Sequence, residues 1–135
     1  KLKMRGYKTG LISDCAPDVP LLWPETPFSG LFDAPVFSCT ARMKKPDPRI
    51  YDLACKKLAV HPGDCIFVGD GGSRELTGAS SAGMQPVLIR VKYEEFFDHY
   101  REDALKWQGP RISSLNELLE MVETLENMET DHVAI

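Results

Sequence analysis

The chain has 135 residues, 43% of them hydrophobic and 27% charged, with a formal net charge of -4. That suits one soluble globular domain with a core of its own. It has no run of Lys or Arg and no apolar run long enough to span a bilayer, which argues against nucleic acid or a membrane as main partner. Lys1 to Gly10 lacks the apolar stretch of a signal peptide. The four cysteines, Cys15, Cys39, Cys55 and Cys65, form no C-x-x-C pair and show no zinc spacing. They read as free thiols in a reducing compartment, which gives a cytoplasmic expectation.

The elements follow in chain order. Lys8 to Ser13 is a short apolar run ending in polar residues and predicts a buried strand. Asp14 to Phe32, broken by Pro17, Pro20, Pro24 and Pro27, leaves room only for a helical turn near Asp18 to Trp23. Pro35 to Cys39 predicts a second strand, with Thr40 to Lys45 as a loop. Asp47 caps and Pro48 opens a helix carrying Ile50, Leu53, Ala54 and Leu58 at helical spacing, stopped by His61-Pro62-Gly63-Asp64.

Cys65 to Val68 is the third strand, closed by Gly69-Asp70. Ser73 is the expected cap of a helix through Leu76 and Ala79 that ends near Gly83. Gln85 to Arg90 is the fourth strand, and Tyr93 to Trp107 is a partly amphipathic helical segment. Ser114 and Glu117 form a capping box ahead of Leu115, Leu118, Leu119, Val122 and Leu125. The expected domain spans residues 1–127, with 128–135 as a frayed tail. Continuous apolar strands alternating with helices predict an α/β fold with a mainly parallel sheet covered on both faces, a Rossmann-like three-layer sandwich. Ligands gather at the carboxyl ends of such strands.

Three of those ends carry the candidate chemistry. Ser13 with the Asp14 backbone N–H can hold a phosphate oxygen, although Ser13 alone reads better as a residue that ends a strand. Lys45 stands just ahead of a capped helix, where a cation opposes the helix dipole unless an anion shares the site. It reads equally as an anion ligand or as part of a solvated basic loop. Asp70 ends a buried strand and Glu75 follows in the first helical turn; such carboxylates suit Mg²⁺, or else a turn and a helix start.

Together these segments resemble a known family. Ser13-Asp14, Lys45-Pro46-Asp47-Pro48-x-Ile50-Tyr51, and Phe67-Val68-Gly69-Asp70 with Glu75, Gly78-Ala79 and Ala82-Gly83-Met84 are similar to motifs II, III and IV of the haloacid dehalogenase (HAD) superfamily. The likeness is greatest to the branch of phosphoglycolate-phosphatase-like enzymes and haloacid dehalogenases.

The resemblance implies that Ser13 and the Asp14 N–H bind a phosphoryl group, that Lys45 neutralises it, and that Asp70 and Glu75 hold Mg²⁺, Glu75 directly or through water. It implies a phosphatase acting on a small phosphorylated metabolite through an aspartyl-phosphate. The family's first motif, Asp-x-Asp-x-Thr/Val, is absent, and so is the cap between motifs I and II. The family's strand for that motif lies between the equivalents of Ile66–Val68 and Leu11–Ser13. The expected core is therefore incomplete, with two inner strand edges unpaired and the chain inactive by itself. A fragment of a longer phosphatase is the simplest expectation. The alternatives are a 2-haloacid-dehalogenase-type hydrolase and a catalytically dead binding module. Nothing in the sequence sets an oligomeric state.

Overall fold

Short apolar runs become strands, and the segments between them become helices and turns, in the computed structural model, which describes residues 1–93 and 100–131. β1 (Gly10–Ser13) and β2 (Ala34–Phe37) pair in parallel, with Ile12 opposite Val36 and Ser13 opposite Phe37. A second parallel sheet has β3 (Ile66–Gly69), β4 (Gln85–Ile89) and β5 (Arg111–Ile112) in that order. The chain is thus α/β with parallel sheets. Among the described residues no ladder joins the two sheets, so β1 and β3 each keep one edge without a strand partner.

Burial follows that division. Val36 on β2 is 2% exposed, and Val87 and Leu88 on β4 are 2% and 0% exposed. Leu11 and Ile12 on β1, and Ile66, Phe67 and Val68 on β3, are only half-buried. The strands that border the division are as apolar as the others but are less covered, whereas β2, with one strand neighbour as well, has Val36 packed against the helix Pro48–Leu58.

Helices span the division from one side. α3 (Pro48–Leu58) starts where expected: Pro48 takes the first position and the Asp47 carboxylate accepts a hydrogen bond from the Arg49 N–H. It buries Ile50, Tyr51, Ala54 and Cys55, which pack with Val36, Ala79 and Met84 in one core cluster. Ile12 from β1 and Phe67 from β3 both touch this cluster, so it links the two sheets. α4 (Glu75–Ser81) follows β3 and brings Leu76 to a smaller cluster with Leu88 and Ala104.

Several elements depart from expectation. Ser38–Ala41, expected as the end of a strand and a loop, forms a short helix directly after β2. Counting it as α2, the short helix at Asp18–Leu22 is α1, in line with the expected helical turn. Ser73 does not cap α4: it sits at φ 53° in the turn before it. Asp103 supplies the cap from a distance, accepting from the Thr77 N–H at 2.9 Å and from the Thr77 hydroxyl at 2.6 Å. Asp103 lies on α5 (Glu102–Lys106), inside the helical segment expected over Tyr93 to Trp107; residues 94–99 of that segment lie outside the described residues.

Glu117 bonds the Ser113 N–H and hydroxyl, so the box ahead of α6 (Leu115–Asp131) is closed by Ser113 and not Ser114. α6 continues to Asp131, past the Asn127 boundary read from the sequence, and 132–135 lie outside the described residues. β5, only two residues long, had no periodic signal to reveal it. No helix of the described residues is long and apolar enough to cross a membrane.

Candidate functional site

The carboxyl ends of β1, β2 and β3 lead into three loops, and a chain of polar contacts ties them together. The Asp14 Oδ1 after β1 accepts from the Lys45 backbone N–H at 3.1 Å. The Lys45 ammonium lies 2.6 Å from Glu75 Oε2, with the two side chains 14% and 7% exposed. The other oxygen of Glu75 accepts from the Gly71 N–H at 3.1 Å, which reaches back to the loop after β3. Asp14, Lys45 and Glu75 are thereby one connected unit, although they stand far apart in sequence.

Asp70 has separate partners. Its Oδ1 accepts from the Gly72 N–H at 2.8 Å, and its Oδ2 is 3.0 Å from an Arg101 guanidinium nitrogen. The Asp70 side chain is 43% exposed, against 14% for Arg101, so Asp70 is the more open of the two candidate metal carboxylates. Ser13 ends β1 one residue before Asp14, and the polar contacts of Lys45 and Asp70 at this edge run to Glu75 and Arg101.

Two glycines permit this arrangement. A Cβ on Gly69 would stand 2.4 Å from Glu75 Oε1, so only glycine lets the β3 end approach that carboxylate. Gly71 has φ +86°, and a Cβ there would meet the Ala104 backbone nitrogen at 2.6 Å. Tyr51, fully buried on α3, donates its hydroxyl to the Glu75 carbonyl at 2.9 Å and holds the start of α4 from below.

The electrostatics follow from burial. Desolvation pushes the Glu75 carboxyl above its ordinary value, the Lys45 ammonium pulls it back down, and the nearby Asp70 carboxylate pushes it up again. Burial is also the main cause that raises the Tyr51 hydroxyl, with the Glu75 charge adding to it. Two ion pairs, Lys45 with Glu75 and Arg101 with Asp70, stand at the strand ends, with the Asp14 carboxylate bonded to the Lys45 backbone N–H beside them.

Of the residues singled out from sequence, Asp14, Lys45 and Glu75 come together directly, and Asp70 joins them through the turn Gly69–Gly71. Ser13 heads the same edge one residue before Asp14. Arg101, Asp103 and Tyr51 were not anticipated as parts of the site. Asp103 reads from sequence as an ordinary first-turn acid of its own helix, and Arg101 carries no local signal; only the fold brings them here.

Among the described residues no three His, Cys, Asp or Glu side chains converge to hold a metal ion. Mg²⁺ is commonly held by one or two carboxylates with waters and phosphate oxygens making up the rest. A half-exposed Asp70 at a strand end fits one such position. Glu75 fits less directly, since both its oxygens already have protein partners.

A family model described as haloacid dehalogenase-like hydrolase matches residues 1–83. A glyceraldehyde 3-phosphate phosphatase of Pyrococcus furiosus is 33% identical over 127 residues, covering 91% of this chain and 50% of that protein. Among solved structures, a HAD phosphatase from Thermococcus onnurineus superposes with a TM-score of 0.74 at 26% identity, covering 90% of this chain and 53% of that one. A dehalogenase captured with an intermediate gives a TM-score of 0.71 at 26% identity, with coverage of 90% and 51%. The chain spans about half the length of these relatives.

Proposed function

The chain belongs to the haloacid dehalogenase-like hydrolase family, and on that premise we propose that it forms the phosphate-handling half of a Mg²⁺-dependent phosphatase for a small phosphomonoester. The observation that carries this is the unit Asp14–Lys45–Glu75, which holds an ammonium group at the common edge of three strand ends. A buried carboxylate fixes the ammonium from one side, and its backbone is pinned from the other. A cation so fixed is organised before substrate arrives, which suits the charge that builds on a transferring phosphoryl group.

In this reading the Ser13 hydroxyl and the Asp14 backbone N–H donate to phosphoryl oxygens. Lys45 neutralises their charge and orients them through its bond to Glu75. Asp70 is the residue that would hold Mg²⁺, which when bound supplies positive charge to the phosphoryl oxygens. Arg101 is the cation paired with Asp70 in this structure.

The nucleophile is the missing part. The unpaired inner edges of β1 and β3, with their half-buried apolar side chains, support a place there for a further strand. We assign to that strand the paired aspartates that the family resemblance requires. The 135-residue chain by itself therefore turns over no phosphomonoester. An assay with p-nitrophenyl phosphate and Mg²⁺ tests this: no turnover above buffer is expected, and turnover abolished by Lys45→Ala would show that the chain carries its own nucleophile. A dehalogenase reading is favoured by one observation, the equal 26% identity to a dehalogenase structure. Turnover by a longer protein that persists in EDTA would favour it over the phosphatase.

A further inference from the structure

The four cysteines stand in two pairs, each with its sulfurs 3.9 Å apart: Cys15 with Cys39, and Cys55 with Cys65. The pairs differ in setting. Cys15 lies two residues after Ser13 in the loop that leaves β1, and Cys39 lies in α2 just after β2. Both are half-buried, whereas Cys55 is 4% exposed and packed in the main core. We propose that Cys15 and Cys39 are a reversible oxidation site, closing to a disulfide under mild peroxide while Cys55 and Cys65 stay reduced.

The two segments are already joined around the sulfurs. The Cys15 N–H donates to the Ser38 hydroxyl at 3.0 Å, and the Cys39 sulfur is 3.7 Å from the Ala16 carbonyl oxygen. A disulfide bond of about 2.05 Å would draw together sulfurs that already stand 3.9 Å apart. Burial and then the neighbouring Cys39 thiol raise the Cys15 thiol, with Ser13 offsetting part of the rise, so the case for this pair rests on its geometry and partial exposure. At the other pair, burial pushes the Cys55 thiol up to about 12, which keeps it protonated.

The chemistry balances with hydrogen peroxide as oxidant. One thiol gives up its proton and the thiolate attacks a peroxide oxygen; the O–O bond breaks, a sulfenic acid forms, and the departing hydroxide takes up that proton as water. The second thiol ionises in turn, its thiolate attacks the sulfenic sulfur, and the expelled hydroxide takes up the second proton as water. Two thiols are oxidised by two electrons, peroxide is reduced to two waters, and a thiol reductant reverses the step. The site matters because Cys15 adjoins Asp14, whose carboxylate holds the Lys45 backbone. A disulfide would fix that loop against α2.

The test needs no substrate or metal, so its outcome is independent of the phosphatase reading. The reduced chain is treated with equimolar hydrogen peroxide, free thiols are alkylated, and the protein is cut after Glu25, which separates Cys15 from Cys39 unless they are bonded. The expected product has lost two hydrogens, links the Cys15 and Cys39 peptides, reverts with dithiothreitol, and is absent from Cys39→Ser. A parallel reaction in urea should scatter the pairing over all four cysteines. Native pairing no more selective than that in urea, first oxidation at Cys55–Cys65, or sulfinic acid without a cross-link would each overturn the proposal.

Discussion

β1 and β4 are both short, apolar and paired in parallel, yet they occupy different environments. β4 lies between β3 and β5 and takes Val87 to 2% and Leu88 to 0% exposure. β1 has one strand neighbour and leaves Leu11 and Ile12 half-buried. Edge position alone does not decide this, since β2 also has one strand neighbour and still buries Ala34 and Val36, the latter under α3; burial depends on what packs on the faces as well as the edges of a strand. β3 shows the same within a single strand: it pairs with β4 on one edge and remains half-buried over Ile66 to Val68.

The largest effect should come from the enclosed side of that contrast. Leu88→Ala removes a fully buried side chain and should cost about 3–4 kcal/mol, whereas Ile12→Ala on β1 should cost about 1 kcal/mol. Urea denaturation of the two variants measures both. Equal losses would mean that β1 is as enclosed as β4.

The next effect lies across the two sheets. Lys45→Ala leaves the Glu75 carboxylate buried without its cation and should cost about 3 kcal/mol. Lys45→Ala combined with Glu75→Gln should recover part of that loss, because the uncompensated charge is gone. A double-mutant cycle by denaturation reads the coupling. Simple additivity would sever the proposed link between the β2 and β3 loops.

Asp103→Ala removes the cap of α4 and should cost about 1–2 kcal/mol. Asp103→Asn should lose less, since its carbonyl still accepts from the Thr77 N–H. Amide exchange at Thr77 would show the cap directly, and an unchanged rate in the alanine variant would place the cap elsewhere.

The smallest effect concerns α3, whose start rests on its own residues. Asp47 is held down to about 2 from 3.8, first by the Arg49 guanidinium and then by the Arg49 N–H. A depressed carboxyl contributes stability that is present above 3.8 and is lost as pH falls through about 2. Asp47→Asn should flatten that part of the pH–stability profile. An identical profile would show that the cap has no energetic weight.

What was legible in the sequence divides along similar lines. α3 was readable because its cap, its proline and its apolar spacing are all local. β1 to β4 were readable as apolar runs closed by turn residues, whereas the two-residue β5 was not. The cap of α4 was misread, because Ser73 is adjacent and polar while Asp103 arrives from 26 residues away. Candidate site residues were found at strand ends, but their connections were not. Glu75, expected at a metal, has its two oxygens on Lys45 and the Gly71 N–H. Arg101 on Asp70 is likewise a contact made by folding alone. The open division between β1 and β3, in contrast, follows from the first strand missing from the family resemblance.

That division is best tested by residue-resolved amide exchange on the 135-residue chain. In a sheet, successive N–H groups point to alternate edges, so a strand with one open edge has alternate unprotected amides. With the division open, alternate amides over Gly10–Ser13 and Ile66–Gly69 should exchange about tenfold or more faster than those of Val87 and Leu88. Uniform protection along β1 and β3, matching β4, would mean that the two sheets close on each other in solution and leave no place for a further strand.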